Sequence, residues 1–128
     1  MPESTVIPVL AYPDVHAAVD WLCGTFGFTL RLRIGSHRAQ LKVGDGAVVI
    51  GKGGAEHNSG SVMVRVDDID THYARAIERG AHVPEPPANY PYGERQYTAE
   101  DLAGHRWTFS QSIADVDPAD WGGTLLSR

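Results

Sequence analysis

The chain has one cysteine, Cys23, and only two lysines, Lys42 and Lys52, among its eleven basic residues. A single thiol excludes an intrachain disulfide and a thiolate cage for a metal. Scattered cations with no basic run exclude the electrostatic footprint of a nucleic-acid binder. No apolar stretch reaches the ~18 residues that mark a membrane span, so no membrane partner is expected. The opening MPESTVIP lacks the basic-then-apolar layout of a secretory signal, and the expected location is the cytoplasm. No two of the six histidines stand in an HxH or HxxxH relation. Those are spacings at which one strand or helix offers two imidazoles to the same ion.

What is present describes an ordinary folded domain. With 128 residues, 42% hydrophobic and 21% charged, the chain suffices for one domain, or for two half-size modules sharing a core. The net charge of −5 modestly favours cationic ligands at the surface but does not define a pocket.

Thr5 to Tyr12 reads as a strand, with Pro8 confined to a free edge or a bulge because it cannot donate to a ladder. Asp14 is a helix N-cap, and Val15, Ala18, Val19, Leu22, Cys23 and Phe26 form one apolar stripe that stops at Gly27. Cys23 in that stripe reads as a small buried hydrophobe. From Phe28 to Ile34, Phe28, Leu30, Leu32 and Ile34 alternate against Thr29, Arg31 and Arg33, before a two-residue hairpin turn at Gly35-Ser36. Arg38 to Val43 and Ala47 to Ile50 complete a β-α-β-β-β order.

The order then repeats. Ser61 to Val66 is a strand, Asp67-Asp68 caps a helix with the stripe Ile69, Tyr73, Ala76 and Ile77, and Gly80 closes it. His82 to Tyr92 carries four prolines and is expected to be irregular, with at most a short edge strand. Glu94 to Gln111 reads as two strands around a turn at Leu102 to His105. Helix caps and stops recur at an almost constant offset, the signature of duplicated modules. The division expected is a module at about 5–51, a linker at 52–60, a module at about 61–112 and a tail at 113–128, all within one domain.

Parity assigns the faces of the last strand. His105, Trp107 and Phe109 fall on one side and Arg106, Thr108 and Ser110 on the other. The bulky side packs the core; the polar side fronts a pocket, shared with Ser61, Met63 and Arg65, and with Ile7, Val9 and Ile50 from the first module. Tyr90 and Tyr92 form its rim, with Glu94 and Arg95 beside them. Arginines on such a face suit a carboxylate or phosphate, unless Arg65 and Arg106 pair with acids such as Asp67 or Glu94. The set holds no obvious general base.

The paired βαβββ order, the PD helix start, Phe26-Gly27-Phe28, and YGERQYTAEDLAGHRWTFSQ together resemble the vicinal oxygen chelate superfamily, which holds glyoxalase I, bleomycin-resistance proteins and extradiol dioxygenases. The resemblance covers about residues 5–112 and is closest to the bleomycin-resistance-like branch. It implies an α+β fold of two tandem βαβββ modules, an incomplete eight-stranded barrel around a pocket, in a homodimer. Enzymes of that superfamily hold a divalent metal through His or Glu on the strands. The matching positions here are Ile7, Ile50 or its neighbour, Ser61 and Thr108, none of which is a usual ligand for Zn²⁺, Ni²⁺ or Fe²⁺. The resemblance therefore points to a metal-free, cofactor-free protein that binds a small molecule, of the kind that confers antibiotic resistance by sequestration. The alternative is a metal-dependent lyase, isomerase or dioxygenase with a relocated site; an accessory dimer with a vestigial pocket is the third outcome.

Overall fold

Asp14 and Asp68 start the two helices as the sequence predicts. The Asp14 carboxylate accepts from Ala17 N (3.1 Å) and Asp68 accepts from Thr71 N (3.2 Å) and Thr71 Oγ1 (2.8 Å). The computed structural model describes residues 6–53 and 61–122. Thr5, His57 and most of the expected linker lie outside the described residues.

The first module runs β1 (Val9–Tyr12), α1 (Val15–Phe26), β2 (Thr29–Ile34), β3 (Arg38–Val43) and β4 (Gly46–Lys52). The second runs β5 (Ser61–Arg65), α2 (Ile69–Glu78), β6 (His82–Tyr90), β7 (Glu94–Glu100) and β8 (Arg106–Ser112), followed by a 3₁₀ turn at Pro118–Trp121. The strand orders are β1-β4-β3-β2 and β5-β8-β7-β6, with the parallel pair at the same place in each. Among the described residues no ladder joins the two sheets, which correspond to the halves of the incomplete barrel that the resemblance implies. Pro8 precedes β1, an edge strand, and contributes only its carbonyl, which accepts from Val49 N (2.9 Å).

One core serves both modules. Val15, Ala18, Val19, Leu22 and Phe26 of α1 pack with Ala39, Leu41, Val48 and Ile50 of the first sheet, and with Tyr97, Trp107 and Phe109 of the second. Phe26 crosses the boundary, its ring 4.8 Å from Phe109 and 5.8 Å from Trp107. Each such side chain, fully buried, contributes about 2 kcal/mol from the apolar area withdrawn from water. Arg75 of α2 adds a polar tie, donating to the Gly24 carbonyl at the end of α1 (3.1 Å). Gly27, with φ 80°, takes the left-handed conformation that ends that helix and that a β-carbon would disfavour.

Four local features differ from the sequence expectation. The β2–β3 turn has three residues, Gly35 to His37, because Ile34 pairs with Arg38. A bulge lies between Leu30 and Leu32, so Leu30 opposes core residue Leu41 while Leu32 opposes Gln40 on the other face. One extra residue inverts every later side chain of a strand, so Leu32 and Ile34 leave the side that alternation assigned them. The proline-rich segment is a full nine-residue edge strand, β6, and two register shifts absorb positions that cannot donate. Ile77 is exposed, so the buried stripe of α2 rests on Ile69 and Ala76, with Tyr73 half-buried.

Candidate functional site: the open faces of the two sheets

Each sheet turns one face to a helix and leaves the other open. In β8 the assignment follows the strand's period: Trp107 and Phe109 are fully buried in the core, and Arg106, Thr108 and Ser110 point the opposite way. Ser61, Met63 and Arg65 of β5 pair with those three in register. Glu94, Gln96, Thr98 and Glu100 of β7 complete the face from the other side. Sequence reasoning missed Gln96, Thr98 and Glu100, although their alternation with Arg95, Tyr97 and Ala99 was the signal that could have found them.

These side chains form a connected network. Tyr92 Oη donates to Gln96 Oε1 (3.1 Å), Gln96 Nε2 donates to Ser110 Oγ (3.0 Å), and Ser110 Oγ donates to Glu94 Oε1 (2.6 Å). Arg65 reaches the same oxygen at 3.4 Å. Below them, the Thr98 and Thr108 hydroxyls share a bond of 2.9 Å. The Tyr90 and Tyr92 rings stack at the edge, 5.5 Å apart and 13° from parallel. Burial first, then Tyr90 and Glu94, raises the Tyr92 phenol above its ordinary value, so it remains a donor at neutral pH. The cavity in front holds about 290 Å³ and is lined by Met63, Glu85, Tyr90, Tyr92, Gln96, Tyr97, Thr98 and Thr108.

Several sequence-predicted residues stand elsewhere. Ile50 is fully buried on the helix-facing side of β4, opposite Ala39. Its neighbour Val49 takes the open-face position, beside Val9 and Gln40. Arg95 pairs with Asp70 of α2 (3.0 Å) and with Asn89; it belongs to the opposite face of β7. Arg65 and Arg106 lie on the open face but stand beside Glu94 and Glu100, at 3.4 and 4.0 Å, and neither lines the cavity under the tyrosines. Ile7 is half-buried just before β1. The open face of the first sheet carries Val9, Val49, Leu32 and Ile34 around Gln40, which Arg31 holds (2.8 Å), with Arg38 and Lys42 on the same side of β3.

The family metal does not fit these residues. Ile7, Val49, Ser61 and Thr108 supply two hydrocarbon side chains and two neutral hydroxyls, where such ions need imidazole or carboxylate. Among the described residues no group of three His, Cys, Asp or Glu side chains converges. The histidines are engaged singly: His16 with Arg33, His82 with Glu100, and His105 with the Ala11 carbonyl.

His72 is neither solvated nor bonded only to its own helix. Its Nδ1 contacts Tyr97 Oη (2.5 Å) and its Nε2 contacts the Phe26 carbonyl (3.0 Å), linking α2 to β7 and to the end of α1. A carbonyl only accepts, so Nε2 carries the proton and Nδ1 accepts from the phenol. Burial pushes the His72 pKa below its ordinary 6.5, and burial likewise raises the Tyr97 phenol. Below pH 6.5 the unfolded chain therefore takes up a proton that the folded chain resists, and stability falls as pH drops through that window. Thermal midpoints measured from neutral to mildly acidic pH are expected to decline, and His72→Gln to flatten the decline while lowering the midpoint at neutral pH.

Two repeated βαβββ units, packed on one core and presenting open sheet faces with a pocket, define a paired-module α+β class. The chain belongs to the Glyoxalase/Bleomycin resistance protein/Dioxygenase superfamily, whose model matches residues 6–109. TioX from Micromonospora sp. ML1 is 37% identical, with a TM-score of 0.76 over 86% of this chain and 99% of that one. A glyoxalase/bleomycin resistance protein/dioxygenase from Nocardioides is 24% identical, with a TM-score of 0.71 over 95% of this chain and 89% of that one. Lactoylglutathione lyase from Agrobacterium tumefaciens is 18% identical, with a TM-score of 0.68 over 86% and 94%; at these lower identities the likeness concerns the fold. No curated protein matches the chain.

Proposed function

We propose that this chain is a metal-free small-molecule-binding protein, acting as a cytoplasmic homodimer, and that it protects against a planar aromatic compound such as an antibiotic by holding it. The observation that carries this is the cavity of about 290 Å³ under the stacked Tyr90 and Tyr92 rings. Its floor of amide and hydroxyl groups is internally bonded. Such a surface stacks and orients a flat ligand, and its lining offers amide, hydroxyl and phenol groups with a single carboxylate rather than the imidazole and carboxylate set that a transition metal needs. The family description names bleomycin resistance proteins beside enzymes, and the side chains at the family's metal positions favour binding over metal chemistry.

A second copy is the partner we infer. Val9 is 59% exposed and Met63 is 63% exposed on the open faces, where Leu32 and Ile34 are exposed as well. Apolar side chains on a surface of this kind mark an interaction site.

The test is a thermal-shift and calorimetric screen of planar aromatic compounds against the purified chain, with the oligomeric state measured by light scattering. Dissociation constants in the micromolar range or tighter, with a matching rise in melting temperature, are expected. A screen in which no planar compound shifts the transition, but a metal-dependent turnover appears, would favour an enzyme.

A further inference from the structure

Among the described residues the cavity under the tyrosines is lined by one charged side chain, and it is acidic. Glu85 lines the space together with Met63, Tyr90, Tyr92, Gln96, Tyr97, Thr98 and Thr108. Plain alternation back from Tyr90 along β6 would send Glu85 to the helix side. The register shift between Glu85 and Ala88 changes that: Glu85 opposes Thr98 as Tyr90 opposes Glu94, so both share the open face. Among the described residues Glu85 forms no ion pair, whereas Glu94 and Glu100 stand beside Arg65 and Arg106.

The hydrogen-bonding balance has the same sign. Tyr92 Oη and one N–H of Gln96 Nε2 are spent within the floor, on Gln96 Oε1 and Ser110 Oγ. What remains is acceptor capacity on the Gln96 carbonyl, the threonine oxygens and both oxygens of Glu85, with only neutral donors, the second Gln96 N–H and one threonine hydroxyl, beside it. The flat wall is two phenol rings, whose faces carry the negative part of the aromatic quadrupole. A carboxylate or phosphate, the ligand class that the arginines suggested from sequence, would meet a like charge and few donors.

We propose that this cavity selects a planar aromatic cation, the ring lying on Tyr90 and Tyr92 and the positive charge facing Glu85. The inference rests on the binding function proposed above and adds the charge of the ligand. The chain's net charge of −5 assists the encounter, but Glu85 supplies the discrimination at the site.

The experiment compares N-methylacridinium with acridine, under buffer conditions in which acridine is uncharged, by fluorescence titration at low ionic strength. The cation is expected to bind about ten-fold more tightly. Glu85→Gln should remove that preference, read as the ratio of the two affinities within the variant, and Glu85→Lys should place the cation below acridine. Equal affinities in the wild-type chain, or a preference that survives Glu85→Gln, would overturn the charge assignment and leave the stacking site standing. Failure of both probes to bind would overturn the site itself along with the charge.

Discussion

Asp101→Asn is expected to cost about 3 kcal/mol of folding stability, because a buried acceptor is replaced by a group that is half donor. Asp101 is 7% exposed, and its two oxygens receive four hydrogen bonds. Oδ1 accepts from Ala103 N and His105 N (both 3.0 Å), which closes the turn between β7 and β8. Oδ2 accepts from Trp107 Nε1 (3.0 Å) and from Tyr12 Oη (2.5 Å). In the amide, the oxygen can keep the backbone pair, and the NH₂ then faces the other two. Tyr12 can turn its hydroxyl to accept; the indole of Trp107 only donates and is left facing a donor. Tyr12→Phe leaves Trp107 satisfied and should cost only about 1 kcal/mol.

The contrast between these variants reports on how the modules are joined. Tyr12 ends β1 of the first module and Asp101 lies in the second, so this bond, with His105 Nε2 on the Ala11 carbonyl (2.8 Å), ties one to the other. Burial first, then the Asp101 charge, raises the Tyr12 phenol far above its ordinary value; the hydroxyl keeps its proton and donates across the junction at any pH the fold survives. Urea denaturation of both variants measures the difference. Equal small losses would mean that the buried carboxylate is not the junction's anchor.

The second large effect concerns the ligand. Removing both rings in Tyr90→Ala/Tyr92→Ala should weaken binding of acridine by roughly thirty-fold, since two stacking contacts contribute about 2 kcal/mol together. Tyr92→Phe keeps the ring, releases the Gln96 carbonyl, and should alter affinity by only a few-fold. A double variant that binds as well as the wild type would move the site away from β6, most directly to the cleft of about 310 Å³ lined by Val43, Ala47, Val62 and Trp107.

How far the sequence foretold these features depends on strand regularity. β8 is paired without interruption to β5 and to β7, so its period of two carries Trp107 and Phe109 inward and Thr108 and Ser110 outward, as alternation states. β2 has the same written pattern, but the bulge between Leu30 and Leu32 carries no mark in residue type and reverses its second half. Glu85 was hidden for the same reason. The prolines of β6 announced an irregular edge, yet only the paired register shows which way each side chain turns. Arg65 and Arg106 lie on the open face; Glu94, one of the acids weighed from sequence, stands beside Arg65, whereas Glu100 beside Arg106 was not named. The cross-strand register, which a chain read one residue at a time does not display, selects between such partners. His72 and Asp101 were invisible for a related cause: their partners Phe26 and Tyr12 lie in the other module.

The most direct test of a metal-free binding site is to measure affinity for one planar aromatic probe before and after exhaustive treatment with a chelator, with metal content determined by elemental analysis. The expected outcome is far less than one transition-metal ion per chain, with the same dissociation constant in both preparations. Stoichiometric Zn²⁺, Ni²⁺ or Fe²⁺, with binding lost on chelation and restored by adding the ion back, would contradict it.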